Sequence, residues 1–155
     1  MPKRLVVCCD GTWNTPDQLS GDTPTPTNVT KLALAIVPYD PKGREQRVFY
    51  HRGVGTSRFE RIRGGAFGFG LSRDVRDTYC FLVHNYDPGD DLFFFGFSRG
   101  AFTARSTAGF VRNCGILRRE YADKVDEAYA FYRSRSNTTQ GIAPTARGAG
   151  SGCTP

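Results

Sequence analysis

No two cysteines stand in a C-x-x-C pair, and the five present (Cys8, Cys9, Cys80, Cys114, Cys153) are odd in number. This argues against zinc ligation and against a disulfide framework, and leaves buried reduced thiols as the expectation. Cys8 and Cys9, adjacent on a strand, would face opposite sides of the sheet and could not share one ligand. No apolar run approaches the length of a membrane span, and Met1-Pro2-Lys3-Arg4 leads directly into a strand without the hydrophobic region and cleavage site of a signal peptide. The expected location is the cytoplasm, with any export independent of such a signal. Lys and Arg outnumber Asp and Glu by 21 to 15, a formal charge of +6, yet no Lys/Arg block of the kind that tracks phosphates occurs. Nucleic acid is therefore not an expected partner; the basic balance reads first as an ordinary solvated face, with an anionic surface such as a phospholipid bilayer as the alternative. Histidine is scarce, with His51 and His84 the only two.

What is present is enough for one core: 155 residues, 39% hydrophobic, with 12 Phe. Leu5-Val6-Val7-Cys8-Cys9 reads as a first buried strand ending in the loop Asp10-Gly11-Thr12-Trp13-Asn14, and Thr15 to Thr27 reads as a Pro/Thr/Asp loop. Asn28 is a candidate N-cap for a helix that places Val29, Leu32, Ala33, Ile36 and Val37 on one face and stops at Pro38. A second strand spans Gln46 to His51. Gly53-x-Gly55 beyond it is a near miss to a dinucleotide fingerprint, because Arg58 replaces the third glycine and no helix opens there. No cofactor is expected. The aromatic, glycine-rich segment Gly64 to Gly70 suits a lid or a plain connector. A helix over Leu71 to Tyr86, with Leu71, Val75, Tyr79, Leu82 and Tyr86 on one face, completes an alternation that predicts an α/β fold with a parallel sheet and flanking helices.

The turn Asp87-Pro88-Gly89-Asp90-Asp91 starts a third strand, Leu92-Phe93-Phe94-Phe95, whose continuous apolar character suits burial on both faces. It breaks at Gly96-Phe97-Ser98-Arg99-Gly100 and continues as a helix to Cys114, with Gly115 as its C′ residue. With 18 Gly in the chain, a Gly-x-Ser-x-Gly pattern turns up by chance in about one such sequence in ten; its place between strand and helix is what singles Ser98 out. A serine there is held at positive φ with its hydroxyl clear of the sheet, and side chains at Gly96 and Gly100 would strike the neighbouring strand and helix. The new helix aims its N-terminal N–H groups, beginning with Arg99, at an anion forming beside Ser98. The loop after the first strand offers the N–H of Gly11 or Thr12 as a second donor, the alternative being a tight loop whose Asp10 merely bonds its own backbone, and Trp13 reads as a packing residue.

Three ordered segments, Leu5 to Asn14, Gly53-Val54-Gly55-Thr56 and Phe95 to Arg105, closely resemble the α/β-hydrolase domain family that includes the catalytic domains of type VI secretion phospholipase effectors. The resemblance spans about residues 3 to 133. It implies the N-terminal part of an α/β-hydrolase fold and an esterase or lipase chemistry on an ester or lipid substrate, with Ser98 as nucleophile. The family's triad runs Ser, acid, His along the chain, whereas both histidines here precede Ser98 and the downstream acids Glu120, Asp123, Asp126 and Glu127 fall on one predicted helix, Arg118 to Arg133. The chain alone is therefore expected to be inactive or nearly so; a non-catalytic remnant or interaction module is the alternative. From Ser134 to Pro155 the composition turns to Ser, Thr, Gly, Ala, Arg and Pro, which predicts a disordered low-complexity tail and fits a truncation or shifted reading frame.

Overall fold

The computed structural model describes residues 2–12, 14, 16–53 and 66–139. Strand β1 (Arg4–Cys9) is the middle of a three-stranded parallel sheet, flanked by β4 (Gln46–His51) and β5 (Asp91–Gly96). Cys9 lies opposite both His51 and Gly96, so the three strands end together at one edge. Leu5 to Cys9 are all buried, as a continuous Leu/Val/Cys run in the centre of a parallel sheet must be. Burial pushes the Cys8 thiol up to about 11 and the Cys9 thiol up to about 12, so both are inert apolar residues at neutral pH.

Helices cover both faces. Val6 and Cys8 pack against α1 (Asn28–Ala35) through Val29, with Val48 and Tyr50 of β4 beside them. Leu5, Val7 and Cys9 pack against Leu82 of α2 (Ala66–Asn85) and Ala104 of α3 (Arg99–Cys114). Behind these, Tyr79 stacks on Phe110 with ring centroids 4.0 Å apart, and its hydroxyl donates to the Gly115 carbonyl at 2.9 Å. The architecture is the expected α/β arrangement.

Several boundaries differ from the sequence reading. The N-cap of α1 is Thr27, one residue before the expected Asn28, because its hydroxyl accepts the Thr30 N–H at 3.0 Å. The helix ends at Ala35 and leaves Val37 exposed, since the residue before Pro38 is steered away from helical geometry. The Thr15–Thr27 loop contains a short antiparallel pair, β2 (Leu19–Ser20) with β3 (Thr23–Pro24). Helix α2 begins at Ala66, so Ala66 to Gly70 of the expected lid or connector form its first turns, while Gly64 and Gly65 lie outside the described residues. Once a helix is nucleated each further residue adds a hydrogen bond, which lets the glycines extend it. The single helix expected over Arg118–Arg133 is a 3-10 helix, Arg119–Lys124, kinked within itself at Tyr121 (φ −108°), followed by α4 (Val125–Thr139). Its end at Thr139 carries regular structure past Arg133 into the expected tail; residues 140–155 lie outside the described residues.

The largest departure is β5. Leu92 and Phe94 turn inward, but Phe93, Phe95 and Phe97 are 40%, 39% and 54% exposed. Helix α1 lies across β1 and β4, and among the described residues nothing covers that face of β5, which is the sheet's edge.

The start of β1 is tied to the start of β5 by Lys3. Its ammonium, 7% exposed, bridges Asp87 and Asp90, the latter 2% exposed. Removing one partner of a buried pair leaves the other charge uncompensated. Lys3→Met should therefore lower stability by about 3 kcal/mol in urea unfolding, the low end of the usual range because Asp90 keeps the backbone N–H groups of Lys3 and Asp87.

Candidate active site

Ser98 has φ 52° and ψ −121°, and it is the one non-glycine residue at positive φ among the described residues. Strand β5 ends two residues earlier, and α3 begins at the next residue. The turn closes through Gly100 N–H to the Phe97 carbonyl (2.9 Å) and Ala101 N–H to the Ser98 carbonyl (3.0 Å). Both flanking glycines are obligatory for steric reasons. A Cβ on Gly96 would lie 2.5 Å from the Gly100 oxygen, and one on Gly100 would lie 2.2 Å from the Cys9 oxygen. Strain of this kind persists only where the surroundings over-determine it, and it concentrates at functional sites.

The loop after β1 sits against this turn, because β1 is the direct neighbour of β5. A Cβ on Gly11 would lie 3.2 Å from the Ser98 Cβ and 3.0 Å from the Phe97 ring. On the other side a Cβ on Gly53 would lie 1.6 Å from the Gly11 oxygen. Gly53, discounted in sequence as half of a failed nucleotide motif, thus lets the end of β4 press on the Gly11–Thr12 peptide. The signal was its offset: Cys9 and His51 are paired, and a glycine follows each by two residues. The two candidate donors of the loop are not equivalent. Gly11 N–H donates to the carboxylate of its own neighbour Asp10 (2.8 Å) and its carbonyl accepts from Asn14 N–H (3.0 Å), whereas the Thr12 N–H has no partner among the described residues. Trp13 lies outside the described residues.

Asp10 is 2% exposed. Its second oxygen accepts from the hydroxyls of Thr27 (2.5 Å), Tyr50 (2.8 Å) and Thr30 (2.9 Å). Burial by itself would push the carboxyl up, but the hydrogen bonds from Thr27, Tyr50, Gly11 and Thr30 together outweigh it and hold it below the ordinary value of 3.8. Burial, with the Asp10 charge beside it, pushes the Tyr50 phenol up to about 12. A carboxyl whose pKa is lower in the folded than in the unfolded chain contributes stability above the unfolded value, and that contribution is lost as pH falls through the folded value. Wild-type protein should therefore lose urea resistance more steeply than Asp10→Asn below about pH 4.

Over residues 3–150 the chain matches the catalytic domain of Tle1-like type VI secretion phospholipase effectors. It belongs to that family. The match runs past residue 133, where the resemblance read from the sequence stops, so the segment after it is partly covered by the Tle1-like family. Among curated proteins the chain is 30% identical over 145 residues to the uncharacterized protein YEL023C of Saccharomyces cerevisiae, covering 84% of this chain and 20% of that protein. The chain thus spans a fifth of the length of the curated relative it matches. No solved structure matches it.

In this Tle1-like domain the remaining ionisable groups fall into two sets. His51 Nε2 stands 3.7 Å from Asp74 Oδ1, and the Arg99 guanidinium stands 3.3 Å from Asp74 Oδ2. Burial raises the Asp74 carboxyl, against the opposing pull of His51 and Arg99. Sequence reading missed Asp74. The signal lay in the row Asp74, Thr78, Leu82, spaced four apart beside the apolar Val75–Tyr79 stripe and equally buried. His51 turns to this carboxylate from β4, and with β1 between, its backbone is two strand spacings, about 10 Å, from Gly96. His84 is exposed on α2, with Nδ1 at the Cys80 carbonyl (2.7 Å). Glu120, Asp123, Asp126 and Glu127 form ion pairs with Arg118 at the N-cap of the 3-10 helix, Lys124 at its end and Arg76 of α2. Among the described residues no group of His, Cys, Asp or Glu could hold a metal ion, and no helix is long and apolar enough to cross a membrane.

Proposed function

We propose that this chain carries the nucleophile and oxyanion side of an α/β-hydrolase-type serine esterase acting on lipid esters, phospholipids in particular. The observation that carries the reading is Ser98 at φ 52° between two glycines that no side chain could replace. In this reading Ser98 Oγ attacks the ester carbonyl and gives its proton to a base. The resulting oxyanion is held by the N–H groups of Arg99 and Thr12, with Gly11 providing the room. The alcohol then leaves, and water releases the acyl group from Ser98. Membership of the Tle1-like phospholipase family supports the substrate class, and the charge of +6 suits approach to an anionic bilayer.

A second reading, a non-catalytic α/β module, is favoured by one observation: His51 is held toward Asp74 and His84 toward solvent, so neither is placed to take the Ser98 proton. Exogenous imidazole distinguishes the two. Added to the buffer, it should accelerate labelling of wild-type protein by a fluorophosphonate at least tenfold over Ser98→Ala if the nucleophile and oxyanion site are formed. Equal labelling of the two proteins, with and without imidazole, would favour the non-catalytic module.

A further inference from the structure

Asp10 is an unexpected neighbour for a site that stabilises negative charge. Its carboxylate is buried, and among the described residues no cationic side chain pairs with it. Four donors do instead. Three are the hydroxyls of Thr27, Thr30 and Tyr50, from the N-cap of α1, its first turn and the end of β4. The fourth is the N–H of Gly11. A carboxylate accepts from all four at once, whereas an amide in its place would present its own N–H₂ to donors. With Gly11 N–H fixed on Asp10 and the Gly11 carbonyl fixed on Asn14, both ends of Gly11 are set, and the planar peptide that follows has one orientation. Gly53 closes that peptide from behind, and Ser98 stands on the Gly11 side.

We propose that Asp10 is a positioning residue: its carboxylate, gathered by the three hydroxyls, sets the Gly11–Thr12 peptide so that the Thr12 N–H faces the Ser98 hydroxyl. The proposal rests on the reading of Ser98 as nucleophile. It also accounts for the charge, because the hydroxyls draw the carboxylate toward α1 and β4, and among the described residues its one donor from the loop is a group that the oxyanion does not need.

The test uses the full chain and two independent readouts, amide hydrogen exchange resolved at Gly11 and Asn14, and the rate at which a fluorophosphonate labels Ser98 in the presence of imidazole. Asp10→Asn should raise exchange at the two hydrogen-bonded amides, Gly11 and Asn14, at least tenfold while leaving Val6 and Val7 of β1 protected, and should slow Ser98 labelling by a similar factor. Tyr50→Phe, which removes one hydroxyl and keeps the ring, should shift both readouts in the same direction by less, and Thr27→Ser, which keeps its hydroxyl, should restore wild-type values. Unchanged exchange at Gly11 and Asn14 in Asp10→Asn overturns the proposal, as does labelling as fast as wild type or faster. A uniform rise in exchange across β1 would make Asp10 a structural tie only and also overturns it. If wild-type Ser98 is not labelled at all, the nucleophile reading fails, and local exchange still decides whether Asp10 sets the loop.

Discussion

Gly100→Ala should leave a chain that is largely unfolded or insoluble, with a loss of more than about 4 kcal/mol. The added Cβ would lie 2.2 Å from the Cys9 oxygen and 2.5 Å from the Asp10 oxygen, both main-chain atoms at the end of the central strand. Neither can rotate away. Relief requires α3 to lift off β1, which opens the contacts of Ala104 with the sheet core. Since a domain of this size has a total stability of about 5–15 kcal/mol, such a loss consumes much or all of it. Two other glycines calibrate the effect. Gly43→Ala, at φ +75° with open space around its Cβ, should cost only the left-handed backbone strain of about 1 kcal/mol. Gly70→Ala, inside α2 with its Cβ at an ordinary 3.4 Å from the Arg99 guanidinium, should gain up to about 1 kcal/mol. Urea unfolding of the three variants side by side separates steric clash from backbone strain; a Gly100→Ala protein as stable as Gly43→Ala would mean that α3 does not press on β1 as described.

The second large effect is catalytic. Tested alone, the 155-residue chain should turn over a p-nitrophenyl ester roughly a millionfold more slowly than a complete serine hydrolase, the penalty for losing the general base in a comparable triad. In the proposed reading, what remains is the help of the oxyanion donors and substrate binding, worth about a thousandfold over water in serine proteases. Within that residual rate Ser98→Ala should remove most of the activity, and His51→Ala should change it little, because His51 faces Asp74 and β1 separates it from the strand that leads to Ser98. Robust turnover abolished by both Ser98→Ala and His51→Ala would instead make His51 the base, and would require its side chain to leave Asp74 for the serine.

The parts of this arrangement legible in the sequence are those written in local patterns. Strands β1 and β4 and the tight strand-to-helix turn at Ser98 were readable because a central parallel strand is a continuous apolar run and because glycines two places either side of a serine allow a close turn. The placement of the loop Asp10–Thr12 beside Ser98 followed from two strands that end at the same edge. The rest depended on tertiary context. Phe93 and Phe95 have the apolarity of a doubly buried strand, yet apolarity does not say whether a strand is central or at the edge, and β5 is at the edge among the described residues. Thr27 and Asn28 are both good caps, and the hydroxyl that reaches Thr30 N–H decided between them. The inequivalence of Gly11 and Thr12 as donors arises from a bond between Gly11 and its own neighbour, and Asp74 became a site residue only when α2 brought it to the ends of β4 and α3.

The most direct measurement is the position of the covalent adduct formed when the full chain is treated with a fluorophosphonate in imidazole buffer and mapped by peptide mass spectrometry. A nucleophile held at positive φ beside two aligned N–H donors should carry the adduct at Ser98 and leave the other serines, Ser72 and Ser106 in the adjacent helices included, unmodified. Modification spread over exposed serines, or none at Ser98, would contradict the assignment of this turn as a nucleophile elbow.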